Sequence, residues 1–85
     1  MESVKVKVLF TGSIQAAVGK GEMEMEVSSD IKAAAGDIRK EILKYAPDLL
    51  YTMLVNGSHY TYALKAGTEL KNGDVLNIIP VTLGG

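Results

Sequence analysis

Cysteine is missing from this chain altogether. Its absence removes disulfides, thiolate metal sites, thiol nucleophiles and any cysteine-based sulfur relay within the sequence. A secreted domain of 85 residues commonly leans on disulfides, so their absence points to a reducing cytoplasm. An excess of one charge is missing too. The 10 acidic and 9 basic residues leave a net charge of −1, so no basic field gathers nucleic acid or anionic lipid. No apolar run approaches the roughly 18 residues of a membrane span. Met1 is followed by Glu2 and an alternating segment, with none of the basic stretch and apolar run of a signal peptide. His59 is the only histidine. No cluster of other ligands surrounds it in sequence, so neither a metal nor acid–base work is expected of it. Gly19-Lys20-Gly21 lacks the rest of a phosphate loop and reads as a turn. With no triad, metal cluster or phosphate loop, an independent enzyme is not expected, nor is a bound cofactor.

What is present suits one small folded domain, since 47% of the residues are hydrophobic. Val4, Val6, Val8 and Phe10 alternate with Lys5, Lys7 and Leu9, the period of a strand with one buried face. Thr11 to Gly21 reads as a connection, with one helical turn at Ile14–Val18. Glu22 to Val27 alternates again, Glu outward and Met or Val inward, which predicts an antiparallel hairpin with the first strand. Its glutamates form an acidic stripe, read as a solvated strand face. Ser28-Ser29-Asp30 supplies helix caps. Behind them Ile31, Ala35, Ile38, Ile42 and Tyr45 form one helical stripe that Pro47 terminates. Asp37 and Glu41 each precede a basic residue and are expected to give weak surface support. Met53-Leu54-Val55 and His59-Tyr60-Thr61-Tyr62 flank Asn56-Gly57, the signal for a two-residue hairpin turn. Ala63 to Lys71 reads as irregular, with Leu64 and Leu70 tucked inward. Asn72-Gly73-Asp74 turns the chain into a last strand over Val75–Ile79, which Pro80 ends.

One helix must then cover one face of a mixed sheet, because neither buries its apolar stripe alone. The order resembles the ubiquitin-like β-grasp: an α+β fold with a four- to five-stranded mixed sheet and one main helix packed on one face. Residues 1–80 are expected to form this domain, and residues 81–85 (Val81, Thr82, Leu83, Gly84, Gly85) a flexible tail ending in a glycine pair.

The ending and the fold marks Val8-Leu9-Phe10, Val55-Asn56 and Asn72-Gly73-Asp74 resemble the sulfur-carrier branch of these proteins. That branch comprises the molybdopterin synthase small subunit (MoaD-like), the thiamine-pathway carrier (ThiS-like) and archaeal small modifiers. Val81 stands where molybdopterin-type members commonly have a second proline, and Ser13-Ile14-Gln15 lacks an arginine often found there. The pathway therefore stays open between molybdopterin-type cofactor and thiamine synthesis.

The resemblance implies a carrier whose Gly85 carboxylate is adenylated by an E1-like activating enzyme using ATP. A sulfur donor protein then converts it to a thiocarboxylate. A synthase large subunit is a further implied partner. Glycines at 84 and 85 leave the terminal carbonyl open to attack, and Val81, Thr82 and Leu83 thread the end into the partner. The alternative is a ubiquitin-like modifier joined to lysines through Gly85. A plain interaction module with an inert tail is the third reading. The expected docking surface is the open sheet face: Leu9 and Ile79, with Asn77, Lys5 and Lys7 around them.

Overall fold

The computed structural model describes residues 2–81. Strand β1 (Ser3–Phe10) leads through helix α1 (Gly12–Val18) into β2 (Glu22–Ser28), and helix α2 (Ile31–Tyr45) follows. Then come β3 (Tyr51–Val55), a two-residue β4 (Ser58–His59), helix α3 (Tyr60–Lys65) and β5 (Val75–Pro80). The sheet order is β2-β1-β5-β3-β4, with β1 and β5 parallel and the other neighbours antiparallel. This is the expected mixed five-stranded β-grasp, with α2 as its main helix.

Alternation decides what is buried. Val4, Val6, Val8 and Phe10 of β1, Leu76 and Ile78 of β5, and Met53 and Val55 of β3 all face the helices. They meet Ile31, Ala34, Ile38 and Ile42 of α2 and Ile14 of α1 in one core. Val8, Ile14, Leu76 and Ile78 retain no exposure. Truncating any one of these large aliphatic side chains to Ala removes about 2–5 kcal/mol by the usual cavity and transfer costs.

Local chemistry fixes the joints. Asp30 caps α2 by accepting the Ala33 N–H at 3.0 Å, and the Ser28 hydroxyl accepts the Asp30 N–H at 3.2 Å. Asn56 and Gly57 take φ of 49° and 87°, the left-handed pair that a tight hairpin needs. On the β1 side of β5, the Asn72 side chain accepts the Lys5 N–H at 2.9 Å. Gly73 N–H donates to the Lys5 carbonyl, and Lys7 N–H to the Asp74 carbonyl, both at 2.9 Å. The 72–74 turn thus hooks β5 onto β1 in register.

Five expectations are corrected. The helical turn after β1 is a full helix over Gly12–Val18. The α2 stripe buries Ala34 rather than Ala35, which is only half-buried, and Tyr45 is 42% exposed. Asp37 accepts the Ser28 N–H at 3.2 Å instead of pairing with a cation, whereas Glu41 does meet Lys44 at 3.1 Å. The return strand stops at His59, and Tyr60–Lys65 is helical. The reason is local: His59 Nδ1 accepts the Thr61 N–H at 3.1 Å and starts a turn, and Tyr60 and Ala63 then share one inward face. Consequently Ala63, not Leu64, is buried on that face, and Leu64 is exposed; Leu70 is buried as expected.

Two glycines give opposite predictions. Gly12 has φ +55°, and a Cβ there would sit 3.1 Å from the Pro80 ring. Gly36 lies in α2 with nothing within 4 Å of an added Cβ. Gly36→Ala is expected to stabilise by about 0.5–1 kcal/mol, and Gly12→Ala to destabilise by about 1–2 kcal/mol. Thermal unfolding of the two variants beside the parent measures both.

Candidate functional site

The sheet face turned away from the helices is built by the odd positions of β1 and β5 and the even positions of β3. Pairing registers set them in rows. Glu24, Lys7 and Val75 form one row. Glu22, Leu9, Asn77, Leu54 and His59 form the next. Ile79 and Thr52 form a third. All five expected docking residues are therefore on one face, with Leu9 directly beside Asn77 and Lys5 opposite Glu26.

Sequence reading missed two members, Leu54 and Val75. Both were accessible from the same alternation: Leu54 lies between buried Met53 and Val55, and Val75 precedes buried Leu76. Leu9, Leu54, Val75 and Ile79 are half-buried and make an apolar cluster around Asn77. No hydrogen bond engages the Asn77 side chain among the described residues. An amide in that position offers a donor and an acceptor at the centre of an otherwise apolar surface.

Charge borders this cluster. Lys7 meets Glu22 at 3.4 Å, both side chains more than half exposed, so the pair adds at most a few tenths of a kcal/mol. Glu22, Glu24 and Glu26 line the β2 side, an acidic margin beside Lys5 and Lys7. On the other side, the His59 ring is fixed as one tautomer. Its Nδ1 accepts from Thr61 N–H, so Nε2 carries the proton and donates to Thr52 Oγ1 at 3.0 Å. Among the described residues no three His, Cys, Asp or Glu gather as a metal site.

The last described residue lies at the end of this face. Val81, on the same side of β5 as Asn77 and Ile79, donates its N–H to the Leu50 carbonyl at 3.0 Å and is 43% exposed. Thr82, Leu83, Gly84 and Gly85, the rest of the expected tail, lie outside the described residues.

No protein-family model matches this sequence, and no curated protein aligns with it. Solved structures do match. Small archaeal modifier protein 1 of Methanosarcina acetivorans superposes with TM-score 0.72 at 19% identity, covering 100% of both chains. The HVO 2177 protein of Haloferax volcanii gives 0.73 at 21% identity, over 98% of this chain and 88% of the other. A protein of Pyrococcus furiosus assigned as molybdopterin converting factor subunit 1 gives 0.67 at 24% identity, over 93% of this chain and 99% of that one. At these identities the likeness establishes the shared fold.

Tyr51, below the chain exit and paired with Pro80, has its phenol pushed above the ordinary value by burial, with the Arg39 charge pulling the other way. The protonated phenol is the form the fold favours. Its contribution is full below the unfolded value of about 10 and is lost as pH rises through the raised folded value. Alkaline titration is expected to show stability falling above about pH 10, and Tyr51→Phe to flatten that part of the profile. A parent and variant with superimposable alkaline profiles would contradict it.

Proposed function

We propose that this chain is a protein co-substrate, a sulfur carrier that acts through the carboxylate of Gly85 and docks by its open sheet face. One observation carries the reading. The apolar cluster of Leu9, Leu54, Val75 and Ile79 continues along β5 to exposed Val81, so the surface suited to a partner adjoins the root of the Gly-Gly segment. A domain held on that partner by this face would have its last residues beside the partner's active site. From Val81 to Gly85 an extended chain spans roughly 15–18 Å, enough to enter a buried pocket.

The chemistry follows from the carboxylate. As an anion it resists nucleophiles, so an activating enzyme joins it to AMP with ATP as the source and pyrophosphate leaving. Sulfur at the sulfide level then attacks the acyl carbon. The C–S bond forms, the C–O bond to AMP breaks, and a thiocarboxylate remains. Its sulfur attacks an acceptor to form a new bond there; water then attacks the acyl carbon, the C–S bond breaks with the sulfur left on the acceptor, and the carboxylate is restored. Glycines at 84 and 85 present no side chain to the attacking group. Ordering the tail loses about 1–2 kcal/mol per residue, which docking of the folded face offsets. The assigned molybdopterin converting factor subunit among the structural neighbours favours a cofactor-synthase partner.

A second reading uses the same activation: a lysine amine attacks the acyl carbon, and the chain becomes a covalent modifier of other proteins. The neighbour described as a small archaeal modifier protein favours it.

Mass spectrometry of the protein from cells holding its own activating enzyme separates the two. An oxygen-to-sulfur mass increase on the terminal peptide supports the carrier. Gly-Gly remnants on lysines of other proteins support the modifier. Neither product, where a control carrier reacts, sinks both. Deleting Gly84 and Gly85 is expected to abolish either product while changing stability by less than about 0.5 kcal/mol. Leu9→Asp with Ile79→Asp is expected to slow activation by about tenfold or more with the glycine pair intact, read by adenylate formation with the purified activating enzyme.

A further inference from the structure

Two Asn-Gly steps occur in this chain, Asn56-Gly57 and Asn72-Gly73, and both lie in exposed turns. The fold needs them there. Asn56, Gly57 and Gly73 take φ of 49°, 87° and 91°, which few other residues adopt without strain. The same pair is chemically reactive. A glycine nitrogen has no neighbouring Cβ to crowd it, so it reaches the side-chain carbonyl of the preceding asparagine readily. Asparagine counts among the thermolabile residues.

In that reaction the glycine nitrogen attacks the asparagine Cγ, and the new C–N bond closes a succinimide ring. The glycine proton leaves with the side-chain nitrogen as ammonia. Water then opens the ring. Addition at Cγ breaks the new bond and gives aspartate. Addition at the main-chain carbonyl breaks the original peptide bond, and the chain then runs through the side chain as isoaspartate. No oxidant, reductant or second protein is needed.

The structure holds the two steps differently. At Asn72 both reacting groups are tied to one residue of β1: Oδ1 accepts the Lys5 N–H at 2.9 Å, and the Gly73 N–H donates to the Lys5 carbonyl at 2.9 Å. Closing the ring there requires the 72–74 turn to leave β1. At Asn56 only the electrophile is tied, its Oδ1 accepting the Val75 N–H at 2.9 Å. Among the described residues no hydrogen bond engages the Gly57 N–H. Its turn closes onto β4, two exposed residues at the sheet edge, where local opening costs least.

We propose that Asn56 is a site of spontaneous deamidation, that the backbone of Lys5 holds Asn72 out of the same reaction, and that isoaspartate at position 56 separates β4 from β3. A two-residue loop sets the pairing of Leu54 with His59 and of Val55 with Ser58. Isoaspartate lengthens that loop by one main-chain carbon, and the register fails. Leu54 and His59 share a row of the open face with Leu9 and Asn77, so the change reaches that surface. The inference stands without tail chemistry.

The test incubates the full chain, folded and in denaturant, in mildly alkaline buffer. Mass spectrometry follows both Asn-Gly peptides, and enzymatic methylation reads isoaspartate. In denaturant the two sites are expected to react at similar rates. In the folded chain Asn56 should convert about tenfold faster than Asn72. Asp74→Ala removes the carboxylate that accepts the Lys71 N–H at 2.9 Å; it should speed Asn72 and leave Asn56 unchanged. Backbone amide NMR of the aged parent should lose the β3–β4 pairing in proportion to isoaspartate, whereas aged Asn56→Gly, which keeps the turn, should not. Equal rates at the two sites in the folded chain would overturn the assignment, as would an Asn56 that stays intact for a period that converts it in denaturant. An aged chain rich in isoaspartate at position 56 with its β4 pairing retained would overturn the structural consequence.

Discussion

The parallel pairing of β1 with β5 at the centre of the sheet is the constraint from which the rest follows. Parallel neighbours cannot be joined by a tight turn, so the intervening chain must cross over, and here it does so as hairpin partner, helix and antiparallel strands. The register is held by the 72–74 turn, where Asn72, Gly73 and Asp74 all bond to the backbone of Lys5 or Lys7. A slip of one residue would carry Leu76 and Ile78 to the open face and Asn77 into the core. The same register places Leu9 beside Asn77 and directs β5 outward at the Phe10 end, where the Pro80 ring lies against Gly12.

A small domain that leaves one sheet face uncovered must keep that face from seeding aggregation. This chain does so by composition. Its open face keeps its aliphatic side chains half-buried among neighbours, with lysines and glutamates bounding them on the β2 side. Such a surface is apolar enough to reward burial by a partner and small enough to remain in water. The opposite, core-facing side carries no buried polar or charged residue, so polar recognition is confined to the surface. Stability and recognition are therefore assigned to alternate residues of the same strands.

The secondary elements with strict periodicity were legible. Val4 to Phe10 and Glu22 to Val27 each had one consistent reading, as did the Asn56-Gly57 and Asn72-Gly73-Asp74 turns, and the α2 stripe was legible at Ile31, Ile38 and Ile42. Where reading failed, propensity and tertiary demand pointed in different directions. His59-Tyr60-Thr61-Tyr62 has strand composition, yet the imidazole of His59 caps a turn and Tyr60 and Ala63 are drawn inward together. Ala34 displaces Ala35 from the core because the α2 stripe is set by the sheet it packs on, and two adjacent alanines give sequence no means of choosing.

Sequence by itself determined the buried alternation, the caps and the turn chemistry, because each depends on residues only a few positions apart. Tertiary structure decided which strands are neighbours. It thereby decided that Leu54 and Val75 join Leu9 and Ile79 around Asn77, and that Val81 lies at the margin of that cluster. Those are contacts between residues far apart in the chain, and no local pattern encodes a distance that only the closed sheet creates.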